Sequence, residues 1–464
     1  MQVQSSELSY RPSKANHSSL RYSRVFPLNG VSSLTLQQSS PTEVQYEVPN
    51  KVLNYGASGL DFDLTVAAGG AGVVNSLHTC GHVMLDRVEL RTREGVRLVD
   101  VNYYSDYSRA TLPYLTKHDQ FMSDAASRGG LTPALASIVG KGSNLFKCDA
   151  AAGTTPVPSS GKAGYRINSG GSALEAVANS YTSPNYVTSS GANAAMTISY
   201  HIPFDEIRQS LLALDKTTYW GQSLILVFHY SPVNKIGWQS DNTLVATPTP
   251  ITAAVTVTNM RVMLAVETSS RIVESLVQTV QQRGMQLMVP YVWSYLQPSG
   301  ATTDSNFNLR INSGFGQRLT SVFSAVANNT PTGITAVDIN NGLAANTKVE
   351  ELQTALDNTP LQEYRIQCNK NEDFEIMEPM LKGCVINGVS CYRHNRVFID
   401  SWREGPSCDY HMNDNAMIAD GLDLSSDRTY AVNYTKPAVD QRHFYWLACQ
   451  RTVNIQSNGQ IQIS

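Results

Sequence analysis

Residues 443–463 read HFYWLACQRTVNIQSNGQIQI and contain the two patterns that decide the fold. The first eight residues form a continuous apolar, aromatic-rich run, which is typical of a strand buried on both faces. Apolar and polar residues then alternate on both sides of Asn458-Gly459. Because Asn-Gly between two alternating runs is a strong signal for a tight hairpin turn, this stretch predicts a β-structure that closes in a hairpin.

The same order of patterns occurs in the middle of the chain. Residues 223–230, SLILVFHY, contain a continuous apolar run at 224–228, and residues 255–266, VTVTNMRVMLAV, alternate. Each half of the chain thus consists of short strands that end in a long apolar strand and an alternating one. About eight short strands per half are typical of a jelly roll. The predicted fold class is all-β, with two consecutive eight-stranded antiparallel jelly-roll sandwiches, short helices and long surface loops.

The composition agrees with a β-rich globular protein and excludes other classes. The chain has 464 residues, of which 42% are hydrophobic and only 16% charged, with a net charge of −3. Such a chain is too apolar for a disordered protein, and its charge gives no general attraction to nucleic acid or anionic lipid. Seven cysteines at irregular spacing predict reduced, mostly buried thiols and synthesis in the cytosol or nucleus.

Local patterns divide the chain into four segments. Residues 1–42 are polar and irregular and predict an N-terminal arm with a small excess of positive charge. Residues 43–266 predict the first jelly roll, which contains a Gly/Ala/Ser-rich loop at about 118–195 and a short helix near 204–214. A stripe of apolar residues between Ser270 and Gly284 predicts a linker helix within residues 267–284. Residues 285–464 predict the second jelly roll, in which the capping-box pattern at 347–350 predicts another short helix.

The chain resembles the double jelly-roll major capsid proteins of icosahedral DNA viruses, of the polinton-like virus and virophage type. The resemblance covers about residues 43–464 and is clearest in the C-terminal part. There it rests on residues 364–374, Arg396-Val-Phe-Ile-Asp400, Gly421-Leu-Asp-Leu-Ser425, Phe444-Tyr-Trp446 and Asn458-Gly459. It implies two jelly rolls side by side and a homotrimer that presents six of them as a pseudo-hexagon.

Further expectations follow from this resemblance. The chain is expected to be a major capsid protein that tiles an icosahedral shell, without enzymatic activity, cofactor or specific nucleic-acid partner. Its expected partners are itself, as trimers and neighbouring capsomers, and penton and minor capsid proteins. The N-terminal arm is the segment that could contact an internal membrane. The expected location is the virion, after synthesis in the host cytoplasm or nucleus.

A few residue clusters invite a chemical function, and in each case a structural role is the stronger interpretation. His78-Thr-Cys80-Gly-His82 contains three zinc-ligand side chains but no evident fourth ligand. The spacing of Cys384, Cys391 and His394 matches no zinc module. Two groups of acids could supply calcium ligands but fit polar strand faces and turns better: Asp61 and Asp63, and Asp420, Asp423 and Asp427. No catalytic, metal or cofactor site is therefore predicted.

Four tyrosines lie between the first hairpin and the long loop, at positions Tyr103, Tyr104, Tyr107 and Tyr114. They predict an aromatic layer within the core or between subunits rather than a ligand cage. Two alternative functions remain at this stage. One is a β-sandwich virion protein that binds a receptor or a carbohydrate, and the other is a jelly-roll glycoside hydrolase. The hydrolase needs a placed pair of carboxylates, and the scattered acids of this chain identify none.

Overall fold

The computed structural model describes most of the two predicted sandwiches. The described residues are 19–70, 73–78, 81–115, 146–147, 181–182, 186–188, 193–214, 216–241, 250–328, 349–367, 397–402 and 421–463. Most of the predicted loop at 118–195 therefore lies outside the described residues.

The first half of the chain contains fifteen described strands. They are β1 (Leu20–Val25), β2 (Ser33–Thr35), β3 (Thr42–Val48), β4 (Leu53–Val66), β5 (Val73–His78), β6 (Leu85–Thr92), β7 (Arg97–Asn102), β8 (Phe146–Lys147), β9 (Tyr181–Thr182), β10 (Tyr186–Thr188), β11 (Met196–Pro203), β12 (Thr217–Thr218), β13 (Leu224–Tyr230), β14 (Gly237–Asp241) and β15 (Val255–Glu267). Two α-helices, α1 (Tyr104–Leu115) and α2 (Val233–Ile236), and three 3₁₀ turns, Gly81–Met84, Phe204–Glu206 and Leu211–Ala213, connect them.

Two sheets form the first sandwich. One has the strand order β1-β15-β4-β11, with β2 and β12 added beside β15 and β4, and the other has the order β3-β13-β6-β7. Along the chain the long strands β3, β4, β6, β11, β13 and β15 alternate between the two sheets, as they do in a jelly roll. The pairs are antiparallel. Two small sheets, β10-β5-β14 and β8-β9, complete this half.

The second half has the same plan. Its strands are β16 (Met285–Ser299), β17 (Asp304–Ile311), β18 (Arg318–Asn328), β19 (Glu351–Leu356), β20 (Thr359–Pro360), β21 (Ile366–Gln367), β22 (Val397–Ser401), β23 (Leu422–Asp423), β24 (Arg428–Thr435), β25 (Gln441–Ile455) and β26 (Ile461–Ile463). One sheet has the order β16-β25-β18-β22 with β23 and β26 at its sides, and the other has the order β17-β24-β19-β20 with β21 beside β19. These strands also pair antiparallel and alternate between the sheets.

Helix α3 (Ser270–Arg283) lies between the two halves, where the sequence predicts a helix. It ends at Gly284, which has φ +71° and whose added Cβ would lie 2.6 Å from the carbonyl oxygen of Ile455. The start of the helix is organised by Glu267, a buried residue at the end of β15. Its Oε1 accepts hydrogen bonds from the backbone N–H groups of Ser19 (2.8 Å), Thr268 (3.1 Å) and Ser269 (2.9 Å). One carboxylate thus ties the first strand to the linker helix.

The period-2 patterns of the sequence are confirmed as strands with one buried face. In β4, for example, Leu60, Phe62 and Leu64 are buried, whereas Asp61 and Asp63 on the opposite face are partly exposed. The double jelly-roll fold class is likewise confirmed, although short edge strands bring the sheets to more strands than the predicted eight per sandwich. Among the described residues no helix is both long and apolar enough to cross a membrane.

Three local predictions need correction. Residues 20–25 and 33–35, assigned to the arm, are strands that pair with β15, because their backbone completes an open sheet edge. The predicted helix near 204–214 consists of two 3₁₀ turns. The predicted helix near 347–357 is wrong over its described part, since residues 351–356 form β19 and pair with β24. Leu352 and Leu356 have helical spacing, but pairing with a long strand prevails over a local preference.

Two hydrophobic clusters fill the molecule, and β25 contributes to both. Phe444 and Trp446 belong to the larger cluster, which also contains the core of the first sandwich. Tyr445, Leu447 and Cys449 point to the other side and belong to the core of the second sandwich. The sheet β16-β25-β18-β22 therefore buries one face against its own sandwich and the other against the first half of the chain.

Candidate functional site

Of the three possible ligands in the metal-like motif at 78–82, only His82 has a described side chain. His82 lies in the 3₁₀ turn Gly81–Met84 and is buried. Its Nδ1 lies 2.7 Å from the hydroxyl of Tyr104, and its Nε2 lies 2.7 Å from Oε2 of Glu206. Both ring nitrogens are thus used within the protein. The side chain of His78 and all of Cys80 lie outside the described residues, as do Cys384, Cys391 and His394.

The aspartates considered as calcium ligands are divided between the two sandwiches and have protein partners. Oδ1 of Asp61 lies 2.5 Å from Nδ1 of His201, and its Oδ2 accepts a hydrogen bond from Arg261 at 3.2 Å. Burial alone would raise the pKa of Asp61, but these two partners outweigh it and lower the pKa. Asp63 accepts a hydrogen bond from Asn259 at 2.5 Å.

In the second sandwich, Asp423 accepts hydrogen bonds from the backbone and the hydroxyl of Ser425 (3.1 and 2.8 Å), and Asp427 pairs with Arg310. Asp420 lies outside the described residues. Within the described part of the chain no three His, Cys, Asp or Glu side chains are grouped so that they could hold a metal ion.

The core of the second sandwich contains two ionisable groups that are buried rather than exposed to a substrate. Oδ2 of Asp400 accepts a hydrogen bond from the hydroxyl of Tyr430 at 2.6 Å, and burial raises the pKa of Asp400. Nε2 of His443 lies 3.0 Å from Oε1 of Gln441. Burial, with a smaller effect of the Lys436 charge, lowers the pKa of His443 to about 3. His443 is therefore neutral at physiological pH.

The aromatic set singled out in the sequence joins the two halves of the molecule. We call the surface between them the seam: on one side lie β7, α1 and the 3₁₀ turn 211–213, and on the other β16, β18 and β25. The ring of Tyr107 meets that of Trp446 edge-on, with 5.5 Å between centroids, and Tyr103 meets Phe444 in the same way at 5.5 Å. Phe444 and Trp446 are parallel to each other, 5.4 Å apart. The predicted aromatic layer thus lies within the chain, although the side chain of Tyr114 is outside the described part.

Polar contacts fix the orientation of the two sandwiches across the seam. Gln209 is buried, accepts a hydrogen bond from the hydroxyl of Tyr107 at 2.6 Å and donates one to Oγ of Ser321 at 3.1 Å. The indole N–H of Trp446 lies 3.4 Å from the carbonyl oxygen of Asn102. Buried polar groups stabilise a fold only when they are paired, so such contacts favour one relative position of the halves.

A second contact between the halves depends on two glycines. Gln222 donates a hydrogen bond to the carbonyl oxygen of Gly459 at 3.0 Å. A Cβ added to Gly459 would lie 2.9 Å from the carbonyl oxygen of Gly221, and one added to Gly221 would lie 3.1 Å from the Cα of Gly459. Both glycines also have positive φ angles. The C-terminal hairpin turn can therefore approach the first sandwich only without side chains at these two positions.

Charged residues of β6 and β7 lie beside the seam. Arg87 forms two hydrogen bonds with Asp100, at 2.7 and 3.0 Å, and Arg97 donates a further one at 3.0 Å. On the second sandwich, the guanidinium of Arg451 lies 4.1 Å from the ring centroid of Tyr291. Asp100 also adds to the raised pKa of Tyr291, after the larger effect of burial. The electrostatic contacts therefore extend from one sandwich to the other.

Large apolar side chains are exposed at a few described positions. Three of them, Tyr22, Phe26 and Leu28, occur on or just after the edge strand β1, with exposed fractions of 63%, 63% and 45%. The described surface thus offers apolar side chains for association. Sequence reasoning found the tyrosines of the seam but missed Gln209, Gly221 and Gly459, because their roles depend on which strands become neighbours.

Comparisons with known proteins agree with this architecture. No protein-family model and no curated protein matches the sequence. Solved structures do match. The PBCV-1 protein VP54, fitted into a reconstruction of the virophage Sputnik, is 10% identical with a TM-score of 0.54, and the similarity covers 97% of each chain. The structure of the Sputnik virophage itself gives 10% identity and a TM-score of 0.56 over 97% of this chain and 89% of that one. A chain of the PBCV-1 virus capsid gives 11% identity and a TM-score of 0.51 over 97% of both. The similarity therefore supports a double jelly-roll fold for this chain.

Proposed function

We propose that the chain is a major capsid protein, which assembles as homotrimers that tile an icosahedral virus shell. The observation that carries the proposal is the fold similarity to proteins of the PBCV-1 and Sputnik capsids, which extends over nearly the full length of this chain and of those proteins. A similarity of this extent includes the pairing of the two jelly rolls as well as the jelly roll itself.

The seam gives this function a physical basis. Aromatic stacking, buried hydrogen bonds and the glycine contact hold the two sandwiches as one block. Three such chains around a threefold axis present six similar sandwiches, and six similar units around an axis approximate a hexagon. A hexagonal outline is a shape that covers a surface without gaps, so a rigid pair of sandwiches is a suitable shell unit.

The composition supports extensive contact between copies. Only 16% of the residues are charged, and burying a charge without a partner is costly. A surface rich in Ser, Thr, Asn and Gln can be covered by other copies with fewer such losses. Permanent interfaces of this kind usually bury more than about 2,000 Å².

The finer organisation is also a proposal. We assign residues 43–266 and 285–464 to the two jelly rolls, residues 267–284 to the linker and residues 1–42 to an arm, of which 20–25 and 33–35 pair with the first sandwich. The partners are neighbouring capsomers, penton and minor capsid proteins and, through the arm, an internal membrane. The chain acts without catalysis or cofactor in the virion, after synthesis in the host cytoplasm or nucleus.

The oligomeric state and the particles formed by the purified full-length protein test the proposal. Light scattering should give about three times the mass of one chain at micromolar concentration, and negative-stain images should show compact, roughly hexagonal particles. A stable monomer at this concentration would contradict trimer formation. The alternative, a β-sandwich virion protein that binds a receptor or carbohydrate, predicts glycan or receptor binding by a particle without sixfold outline.

A further inference from the structure

Arg208 is an unusual residue because its charged side chain is buried, and it adjoins Gln209, whose side chain crosses the seam. It follows the 3₁₀ turn Phe204–Glu206 and has an exposed fraction of only 2%, which places it among the largest fully buried side chains, with Trp220 and Trp446. A guanidinium stays protonated in proteins. A buried charge of this kind lowers stability strongly unless an opposite charge and hydrogen bonds compensate for it.

No compensating group is found among the described residues. Nε of Arg208 has no hydrogen-bond partner there, and no acidic side chain of the described segments forms an ion pair with its guanidinium. Two nearby acids have other cationic or neutral partners. Glu206 binds His82 at 2.7 Å, and Asp106 lies 3.5 Å from Nζ of Lys235.

The backbone around Arg208 is held firmly in place. The hydroxyl of Tyr107 lies 3.3 Å from the carbonyl oxygen of Arg208 and donates a 2.6 Å hydrogen bond to the side chain of Gln209. Gln209 has φ +56°, a left-handed conformation that is strained for a residue other than glycine. Oγ of Ser210 donates to the carbonyl oxygen of Ile207 at 2.6 Å. The backbone on both sides of Arg208 is therefore fixed and buried.

We propose that Arg208 binds a small inorganic anion, such as chloride or phosphate, beside the seam between the two sandwiches. The anion supplies the negative charge and the acceptor that the described residues around Arg208 do not. A guanidinium presents several N–H donors in one plane and is well suited to anions. An exposed fraction of 2% leaves access only to small ions, so a side chain of another protein is excluded as the ligand.

The test is the stability of the full-length protein against anion concentration at constant ionic strength. Chloride, phosphate or sulfate replaces gluconate, which is too large to reach the buried group. Because a ligand of the folded state stabilises it by mass action, the free energy of unfolding should rise by about 1.4 kcal/mol for each tenfold increase above the dissociation constant. The ion whose stabilising effect begins at the lowest concentration has the lowest dissociation constant and is the preferred ligand. Equal stability in all four salts would overturn the proposal.

Variants separate specific binding from general salt effects. Arg208→Met removes the charge but keeps an elongated apolar side chain, and it should abolish the anion dependence. Arg310→Met is the matched control, because the Arg310 side chain is 71% exposed and pairs with Asp427; it should keep the full dependence. If Arg208→Met does not fold, Arg208→Lys should raise the dissociation constant of the anion at least several-fold. An unchanged anion dependence in the Arg208 variant that folds would refute the site.

Discussion

Replacing Glu267 by alanine should loosen the first strand and the start of the linker helix together. The carboxylate accepts three backbone hydrogen bonds, from Ser19, Thr268 and Ser269, and is only 3% exposed. A hydrogen bond to a charged group contributes about 1.5–3 kcal/mol, and a buried donor left without an acceptor costs about 1–3 kcal/mol. Because these donors lie near the surface, water can replace part of the carboxylate. The loss for each of the three donors should therefore be about 1 kcal/mol, the lower end of the cost of an unpaired donor. The expected loss is about 3 kcal/mol in the free energy of unfolding.

Two further variants sharpen this prediction. Glu267→Gln keeps an acceptor oxygen but removes the charge, so its loss should be about half as large. Glu274→Ala changes an exposed acid on the same helix and should alter stability by less than about 0.5 kcal/mol. The measurements are chemical unfolding and amide hydrogen exchange of residues 20–25 and 270–273.

The exchange data decide whether Glu267 joins the two segments. In Glu267→Ala, the amides of β1 and of the first turn of α3 should both exchange faster, while those of β25 stay protected. If the alanine variant loses no more stability than Glu274→Ala, or if only one segment exchanges faster, the carboxylate does not hold the strand and the helix together.

Four other changes test separate parts of the structure. Between pH 6.5 and 3 the unfolded state binds a proton at His443 that the folded state does not, so the free energy of unfolding should fall by up to about 1.4 kcal/mol for each unit that the pH falls. Unfolding curves of His443→Gln should show a smaller dependence on pH. Burial raises the pKa of Asp400, so the folded state holds this proton more tightly than the unfolded state and loses stability as the pH rises. Asp400→Asn should therefore stabilise the protein at pH 7, and this gain should vanish below about pH 4, where Asp400 is protonated in both states. Trp446→Ala should cost about 3–5 kcal/mol and separate one unfolding transition into two by calorimetry; a single transition would show that the seam is not the coupling element. Gly459→Ala should lower the melting temperature while Gly70→Ala, which meets open space, should not.

The sequence predicts those parts of the fold that depend on local patterns. The alternation along residues 60–66, the linker helix that ends before Gly284 and the hairpin around Asn458-Gly459 are all found where they are predicted. In each of these stretches the periodicity and the turn or cap residues indicate the same element. When the local signals agree, the structure of a segment can be predicted without knowing which strands it will contact.

Other elements form through contacts with residues that are distant in the sequence, and local sequence patterns could not predict them. Residues 351–356 form a strand because β24 provides hydrogen bonds, and residues 20–25 because β15 has an open edge. Helix α1 went unpredicted, although Tyr104, Tyr107 and Thr111 have the i, i+3, i+7 spacing of one helical face and are buried. The seam depends on contacts between residues more than one hundred positions apart, such as Gln209 and Ser321.

The position of β25 has a consequence for the order of folding during synthesis. This strand lies between β16 and β18 and contributes Phe444 and Trp446 to one core and Tyr445 and Leu447 to the other. It also leaves the ribosome after every other long strand. Until about residue 455 has emerged, the second sandwich lacks its central strand and the seam lacks Phe444 and Trp446, so a truncated chain exposes aromatic surface. Incomplete chains are therefore expected to remain bound to chaperones or to be degraded, and only finished chains are competent to join an assembly.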